Sequence, residues 1–215
     1  MHGDKVLRII RAYDDRIVRA YCWGRFWILR QRFLDEIGQY LPAAGRVLDI
    51  GCGFGLFSLY YASLAPGLTL HGLDRNPRRI AMAQRAAARL GLPNVVYEVA
   101  DARDFHCHEE YDAAYLLDIV HHVGEESVRP LLAELAKAVR PGGRLLIKDV
   151  DTRPAYKRWF THALDRLMDP RTPVRYWAAD ELQALVVGAG FRVHRHLLVD
   201  YLPYPHVLYI CERIP

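Results

Sequence analysis

The sequence predicts an α/β fold, a doubly wound and mostly parallel sheet that ends in an antiparallel hairpin. Three observations carry this reading. From Arg46 onward, short apolar runs (46–50, 69–73, 95–99, 113–117 and 143–150) alternate with helix-length segments (56–64, 77–90 and 126–139). The first run, Val47-Leu48-Asp49-Ile50, passes into Gly51-Cys52-Gly53-Phe54-Gly55 and then Leu56-Phe57-Ser58-Leu59, which reads as buried strand, glycine loop and helix N-terminus. The last two apolar runs, 191–199 and 206–212, are joined only by Tyr201-Leu202-Pro203-Tyr204-Pro205. A link that short permits antiparallel pairing and no parallel crossover.

Residues 1–44 read as helical, with arginines and aromatic residues interleaved and a stop at Leu41-Pro42-Ala43-Ala44-Gly45. Asn76 and Pro77 form a cap and first turn, while Gly91 and Pro93 close the same helix. Residues 151–179 break the strand–helix rhythm. Within them Tyr156–Met168 reads as a basic, aromatic amphipathic helix terminated by Asp169-Pro170-Arg171-Thr172-Pro173. Asp180 is expected to cap a last core helix ending at Gly188-Ala189-Gly190. The expected organisation is a helical lid over 1–44 and a core over 45–215, with a helical cap inserted at about 151–179.

Composition limits the function classes. A chain of 215 residues with 52% apolar content suits one domain with an ample core. Cys22, Cys52, Cys107 and Cys211 are widely spaced, without a disulfide or zinc pattern, so a reducing compartment and a cytoplasmic location are expected. Arginines recur through the N-terminus, which argues against a secretory signal, and no uncharged apolar window is long enough to span a bilayer. Charge is uneven: residues 1–46 hold nine basic and five acidic side chains, the whole +4 excess of the chain. The partner-facing charge is therefore N-terminal.

The glycine loop selects among nucleotide-type cofactors. A dinucleotide fingerprint places its third glycine at position 56, where this chain has Leu56; here the third glycine is Gly55. Asp49 would repel a pyrophosphate but would accept from an ammonium. Leu70-His71-Gly72-Leu73-Asp74 is a second apolar run ending in an acid, and Asp74 follows Gly55 by 19 residues. That is the spacing of a carboxylate that holds ribose hydroxyls.

On these residues the chain resembles the class I S-adenosylmethionine-dependent methyltransferases, which share a Rossmann-like seven-stranded sheet. The resemblance implies that Asp49, Gly51, Gly53 and Gly55, with Cys52 among them in the cofactor-binding loop, face the methionine part of S-adenosylmethionine. Cys52 itself reads as a small packing residue and no nucleophile. It implies that Asp74, followed by Arg75, meets the ribose, and that Asp101 and Ala102 in Ala100-Asp101-Ala102 meet the adenine. Tyr111–Asp118 matches the fourth strand, whose end at Leu117 lies beside the reacting methyl, and Arg140–Ile147 matches the turn and fifth strand.

Methyl transfer from a sulfonium needs alignment and exclusion of water, and a base only when the acceptor proton has a high pKa. His121 and His122 follow the fourth strand and are the candidate bases. The alternative is that they shape the loop through backbone hydrogen bonds or stack on the cofactor, and Asp118 has a similar alternative as a local cap. No metal is expected, because adjacent histidines should point apart and no third ligand has suitable spacing. The N-terminal segment is read either as a helix packed on the core or as a lid, with Tyr13 or Trp23 near the cofactor and Arg30 on its carboxylate. With residues 153–177 such a lid would enclose an apolar cavity with a basic mouth. That suits a small lipophilic or aromatic acceptor, free, on an acyl-carrier protein or at a membrane surface, in a monomer or homodimer. RNA or protein methylation and non-catalytic binding of the cofactor are the rival readings; nucleic acid is disfavoured because residues 112–121 lack an Asn/Asp-Pro-Pro-aromatic motif.

Overall fold

A computed structural model describes residues 2–106, 110–152, 175–198 and 206–215, with the side chains of residues 2 and 28–31 excepted. In chain order the elements are α1 (His2–Ala12), α2 (Arg16–Gly38), β1 (Gly45–Ile50), α3 (Leu56–Leu64), β2 (Leu68–Asp74), α4 (Pro77–Leu90) and β3 (Val95–Val99). There follow β4 (Tyr111–Leu117), α5 (Glu125–Ala138), β5 (Val139–Val150), α6 (Ala179–Gly188), β6 (Phe191–Leu197) and β7 (His206–Arg213). The strands form one seven-stranded sheet in the order β3-β2-β1-β4-β5-β7-β6. The expected α/β architecture is therefore present, antiparallel C-terminal strands included. The expected helix at 156–168, its terminator at 169–173 and the link at 201–205 lie outside the described residues.

The chain divides into two compact units, Met1–Ala102 with Tyr111–Ala113, and Arg103–Glu110 with Ala114–Pro215. In the first, β1 and β3 flank β2 in parallel register, with Asp49 opposite Gly72 and Asp74 opposite Val99. Fully buried Val47, Leu48 and Leu70 show why these runs are apolar without alternation. The N-terminal helices belong to this unit. Lys5 Nζ donates to Ser63 O at 2.8 Å, Tyr61 Oη to Leu34 O at 3.1 Å, and Arg89 to Ala12 O at 2.8 Å while also pairing with Asp14. The N-cap of α4 is Asn76, whose Oδ1 accepts from Arg78 N at 3.0 Å and Arg79 N at 3.2 Å. Gly91 ends the helix in the left-handed region at φ 65°.

In the second unit β7 pairs antiparallel with both β5 and β6, Ile147 lying opposite Tyr209 and Val193 opposite Cys211. Two boundaries differ from expectation. Strand β5 begins at Val139, directly after α5, and pairs with β7 only from Arg144 onward; the expected Arg140–Gly143 turn lies within it, marked by the left-handed Gly142 at φ 74°. Asp180 is not the cap of α6. Its N-cap residue is Ala178, and the Ala179 amide is taken by Asp151 Oδ1 at 3.2 Å, from 28 residues upstream. Asp180 lies in the first turn and pairs with Arg195, which still suits the positive end of a helix.

The Asn76 cap provides a local test of this packing. Asn76→Ala removes the acceptor for two amides and should lower unfolding free energy by about 1 kcal/mol, read from urea denaturation with an unchanged slope.

Candidate functional site

The first group of candidate residues is built where β1 and β2 end side by side. Leu73 O accepts from Gly51 N at 2.8 Å and from Cys52 N at 2.9 Å, so the loop turns back over the end of β2. Asp74, buried at the same strand end, accepts from Gly53 N through Oδ2 at 3.0 Å and from Asn76 N through Oδ1 at 2.8 Å. Gly55 N closes the loop on Cys52 O at 2.8 Å, and α3 starts at the next residue.

Why position 55 must be glycine is visible in the packing. Its φ is 77°, and a Cβ there would lie 2.3 Å from the hydroxyl of Tyr97 on β3. That hydroxyl is fixed by Ser58 Oγ at 3.0 Å and Gly55 O at 3.2 Å, and burial pushes its pKa well up. The same Tyr97 ring would lie 2.6 Å from a Cβ on Gly72. Tyr97 was not singled out from the sequence, where it reads as an ordinary strand residue.

Around the loop, Tyr13 Oη donates to Phe54 O at 2.8 Å, and burial raises its pKa strongly. Tyr21 packs edge-on against Phe54 with centroids 5.6 Å apart, and the Arg79 guanidinium lies 5.6 Å from the Phe54 ring centre. Asp49 is buried, as is Cys52, whose thiol is pushed well up by burial first and by the carboxylates of Asp49 and Asp74 second. Arg75 is exposed; Asp101 and Ala102 are half-buried, with Ala102 opening a short 3₁₀ turn. The Arg30 side chain lies outside the described residues, and Trp23 is stacked on Trp27 at a centroid distance of 6.4 Å.

The second group belongs to the other unit. After the buried Leu117, Asp118 takes a left-handed backbone at φ 59°, donates its amide to Lys148 O at 2.9 Å and receives the Lys148 ammonium. The Lys148 side chain has no exposed surface. A 3₁₀ turn over Val120–His122 then presents His121, 3% exposed, to Asp149. Asp149 Oδ2 accepts from His121 N at 3.0 Å, and Oδ1 lies 2.5 Å from His121 Nδ1. The imidazole lies 4.2 Å from the His122 ring centre and 5.6 Å from that of Tyr176, whose plane is inclined by 29°. Arg175 N donates to His121 O at 2.9 Å and holds that segment in place.

These contacts correct the expectation that the neighbouring histidines point apart: the tight 3₁₀ turn packs their rings together. They also add Lys148, Asp149 and Tyr176, which sequence reasoning missed. A signal did exist for the first two, a Lys-Asp pair inside the otherwise apolar Leu145-Leu146-Ile147-Lys148-Asp149-Val150. Chemically, a carboxylate accepts only, so Nδ1 of His121 carries the hydrogen between them and Nε2 keeps a lone pair in the neutral ring.

Residues 23–196 match the family model described as a methyltransferase domain. The chain belongs to that family. An O-methyltransferase, cnsE, of Penicillium expansum is 29% identical over 171 residues, which cover 77% of this chain and 59% of the relative. A ubiquinone biosynthesis O-methyltransferase of Brucella anthropi is 29% identical over 173 residues, covering 74% of this chain and 64% of the relative. The chain thus spans less than two thirds of the length of either. Among solved structures, an O-methyltransferase family protein from Burkholderia thailandensis shares the fold with a TM-score of 0.71 at 21% identity, over 93% of this chain and 60% of that one.

Within this methyltransferase domain, the loop glycines separate by substitution. Gly55→Ala adds the left-handed backbone penalty to a collision with a fixed hydroxyl, and should cost at least about 2 kcal/mol of stability. Gly53→Ala, where a Cβ meets nothing within 4 Å, should cost only the backbone penalty of about 1 kcal/mol. Denaturant unfolding of the two variants should show that order.

Proposed function

We propose that the chain is an S-adenosylmethionine-dependent methyltransferase acting on a hydroxyl oxygen of a small lipophilic or aromatic acceptor. The observation that carries this reading is the buried His121–Asp149 pair at 2.5 Å. An amine or thioether acceptor in its neutral form offers a lone pair without prior loss of a proton, whereas a phenol or enol calls for a base. The two relatives described above are named as O-methyltransferases, and one is named for ubiquinone biosynthesis. Ubiquinone is a lipid-tailed quinone, which favours the lipophilic, aromatic class.

The loop suits the cofactor. It opens onto free space at Gly53, and each Asp74 oxygen holds one backbone amide and keeps acceptor capacity for a hydroxyl. In this reading Asp49, Gly51, Cys52, Gly53 and Gly55 hold the methionine end, Asp74 and Arg75 the ribose, Asp101 and Ala102 the adenine, and Leu117 borders the reacting end. Residues 1–44 serve as the lid, with Tyr13 bracing the loop through Phe54 O and Arg30 meeting the cofactor carboxylate. S-adenosylmethionine, when bound, supplies an electrophilic methyl group on its sulfonium. His121 Nε2 takes the acceptor proton, and Asp149 stabilises the imidazolium that results. His122 and Tyr176 limit rotation of that ring. The acceptor is delivered free, on a carrier protein or from a bilayer.

Two measurements test the assignment. Titration calorimetry with S-adenosylmethionine should show binding, weakened about 100-fold or more in Asp74→Ala, since two charge-assisted hydrogen bonds are worth at least about 3 kcal/mol together. Unchanged affinity in a folded variant would sink the ribose role. For the base, His121→Ala and Asp149→Asn should each lower kcat by about 10²-fold or more with cofactor affinity retained. The wild-type rate should fall toward acid pH as His121 becomes protonated, and His121→Ala should lose that dependence. Retention of the acid limb in His121→Ala would remove His121 from the chemistry.

A further inference from the structure

Helix α2 carries apolar residues on two faces. Val18, Cys22, Phe26, Phe33 and Ile37 are buried, and the last of these has no exposed surface. Arg16, Ala20, Trp23 and Trp27 follow one another by four, three and four residues, so they form a single stripe, and all four are exposed. Trp23 is 57% and Trp27 59% exposed, their planes within 9° of parallel, and Ile17 beside the stripe is 80% exposed. Stacking covers only part of each indole, so the folded chain holds a large contiguous apolar surface in water. The indole pair is not needed to hold the helix, whose opposite face is already buried.

The surroundings of this stripe are basic. Arg8, Arg11, Arg16 and Arg32 on α1 and α2 are exposed, within the N-terminal segment that carries the chain's excess positive charge. Of the acids there, Asp14 pairs with Arg85 and Arg89, and Asp15 caps α2 through the amides of Ile17 and Val18; Asp4 and Asp35 are exposed and Glu36 is half-exposed. A second copy of the chain in an isologous contact would set this positive segment against itself. An anionic lipid surface meets both properties at once. Indole rings settle at the boundary of headgroup and acyl chain, and guanidinium groups pair with lipid phosphates. Among the described residues no helix is long and apolar enough to cross a membrane, so the contact is interfacial.

We propose that the Ile17–Trp23–Trp27 face of α2 is a docking surface for an anionic bilayer. The proposal stands on this surface alone and not on the identity of the methyl acceptor, and its test reads binding and not turnover. The full chain is floated with phosphatidylcholine vesicles and with phosphatidylcholine–phosphatidylglycerol vesicles while tryptophan emission is recorded. The wild type should bind the anionic vesicles with a blue shift, bind pure phosphatidylcholine far less, and release as salt is raised. The double variant Trp23→Gln with Trp27→Gln should bind at least about tenfold more weakly with an unchanged unfolding midpoint, and Arg16→Glu should also weaken binding. Equal binding by wild type and double variant, or no binding by the wild type, overturns the proposal. So does a dimer in sedimentation that dissociates in the double variant, which would give the face to a second copy.

Discussion

The carboxylate of Asp74 is the junction on which the first unit's loop region depends. One oxygen holds the Gly53 amide and the other holds the Asn76 amide, while the backbone carbonyl of the same residue accepts from Ala100 N at 3.2 Å. The end of β2 thereby fixes the glycine loop, the entry to α4 and the exit from β3 together. A neutral side chain there would give up two charge-assisted bonds, each worth roughly 1.5–3 kcal/mol. This explains why a buried strand ends in an acid whose geometry is set by the backbone amides it holds.

Tyr97 imposes the complementary steric constraint. Its ring and hydroxyl fill the volume that Cβ atoms on Gly72 and Gly55 would need, and the hydroxyl is tied to Ser58 and Gly55 O. The third glycine therefore falls at 55 because β3 presses on the loop at that position.

What the sequence made legible was local or periodic. The strand–helix alternation, the Asn76 cap, the left-handed Gly91 and the antiparallel tail all follow from patterns a few residues long, and all are present. What it concealed depends on partners distant along the chain. Asp180 looked like a cap because it stands before an apolar helix, but the amide in question is satisfied by Asp151. The end of α5 looked separated from the fifth strand by a turn at Arg140–Gly143, but β5 is continuous from Val139, with the left-handed Gly142 inside it and pairing with β7 only from Arg144. Lys148 and Asp149 were visible as charges in an apolar run, yet nothing local names their partners.

Those partners follow from the pleat. Successive side chains on a strand point to opposite faces, so Lys148 and Asp149 address two different groups from the same strand end. Lys148 meets Asp118 and Asp149 meets His121, residues only three apart on the segment leaving β4. One short segment can serve both faces only if it turns sharply between them, and the left-handed Asp118, with φ 59°, supplies that turn. Asparagine and aspartate tolerate this conformation better than other side chains with a Cβ, and here the Lys148 ammonium also binds the carboxylate in it. The buried ion pair is therefore a positioning device. By holding the turn, it sets where the 3₁₀ helix begins, and so where His121 meets Asp149. The placement of the His121 imidazole thus depends on an ion pair made from the neighbouring position of the same strand.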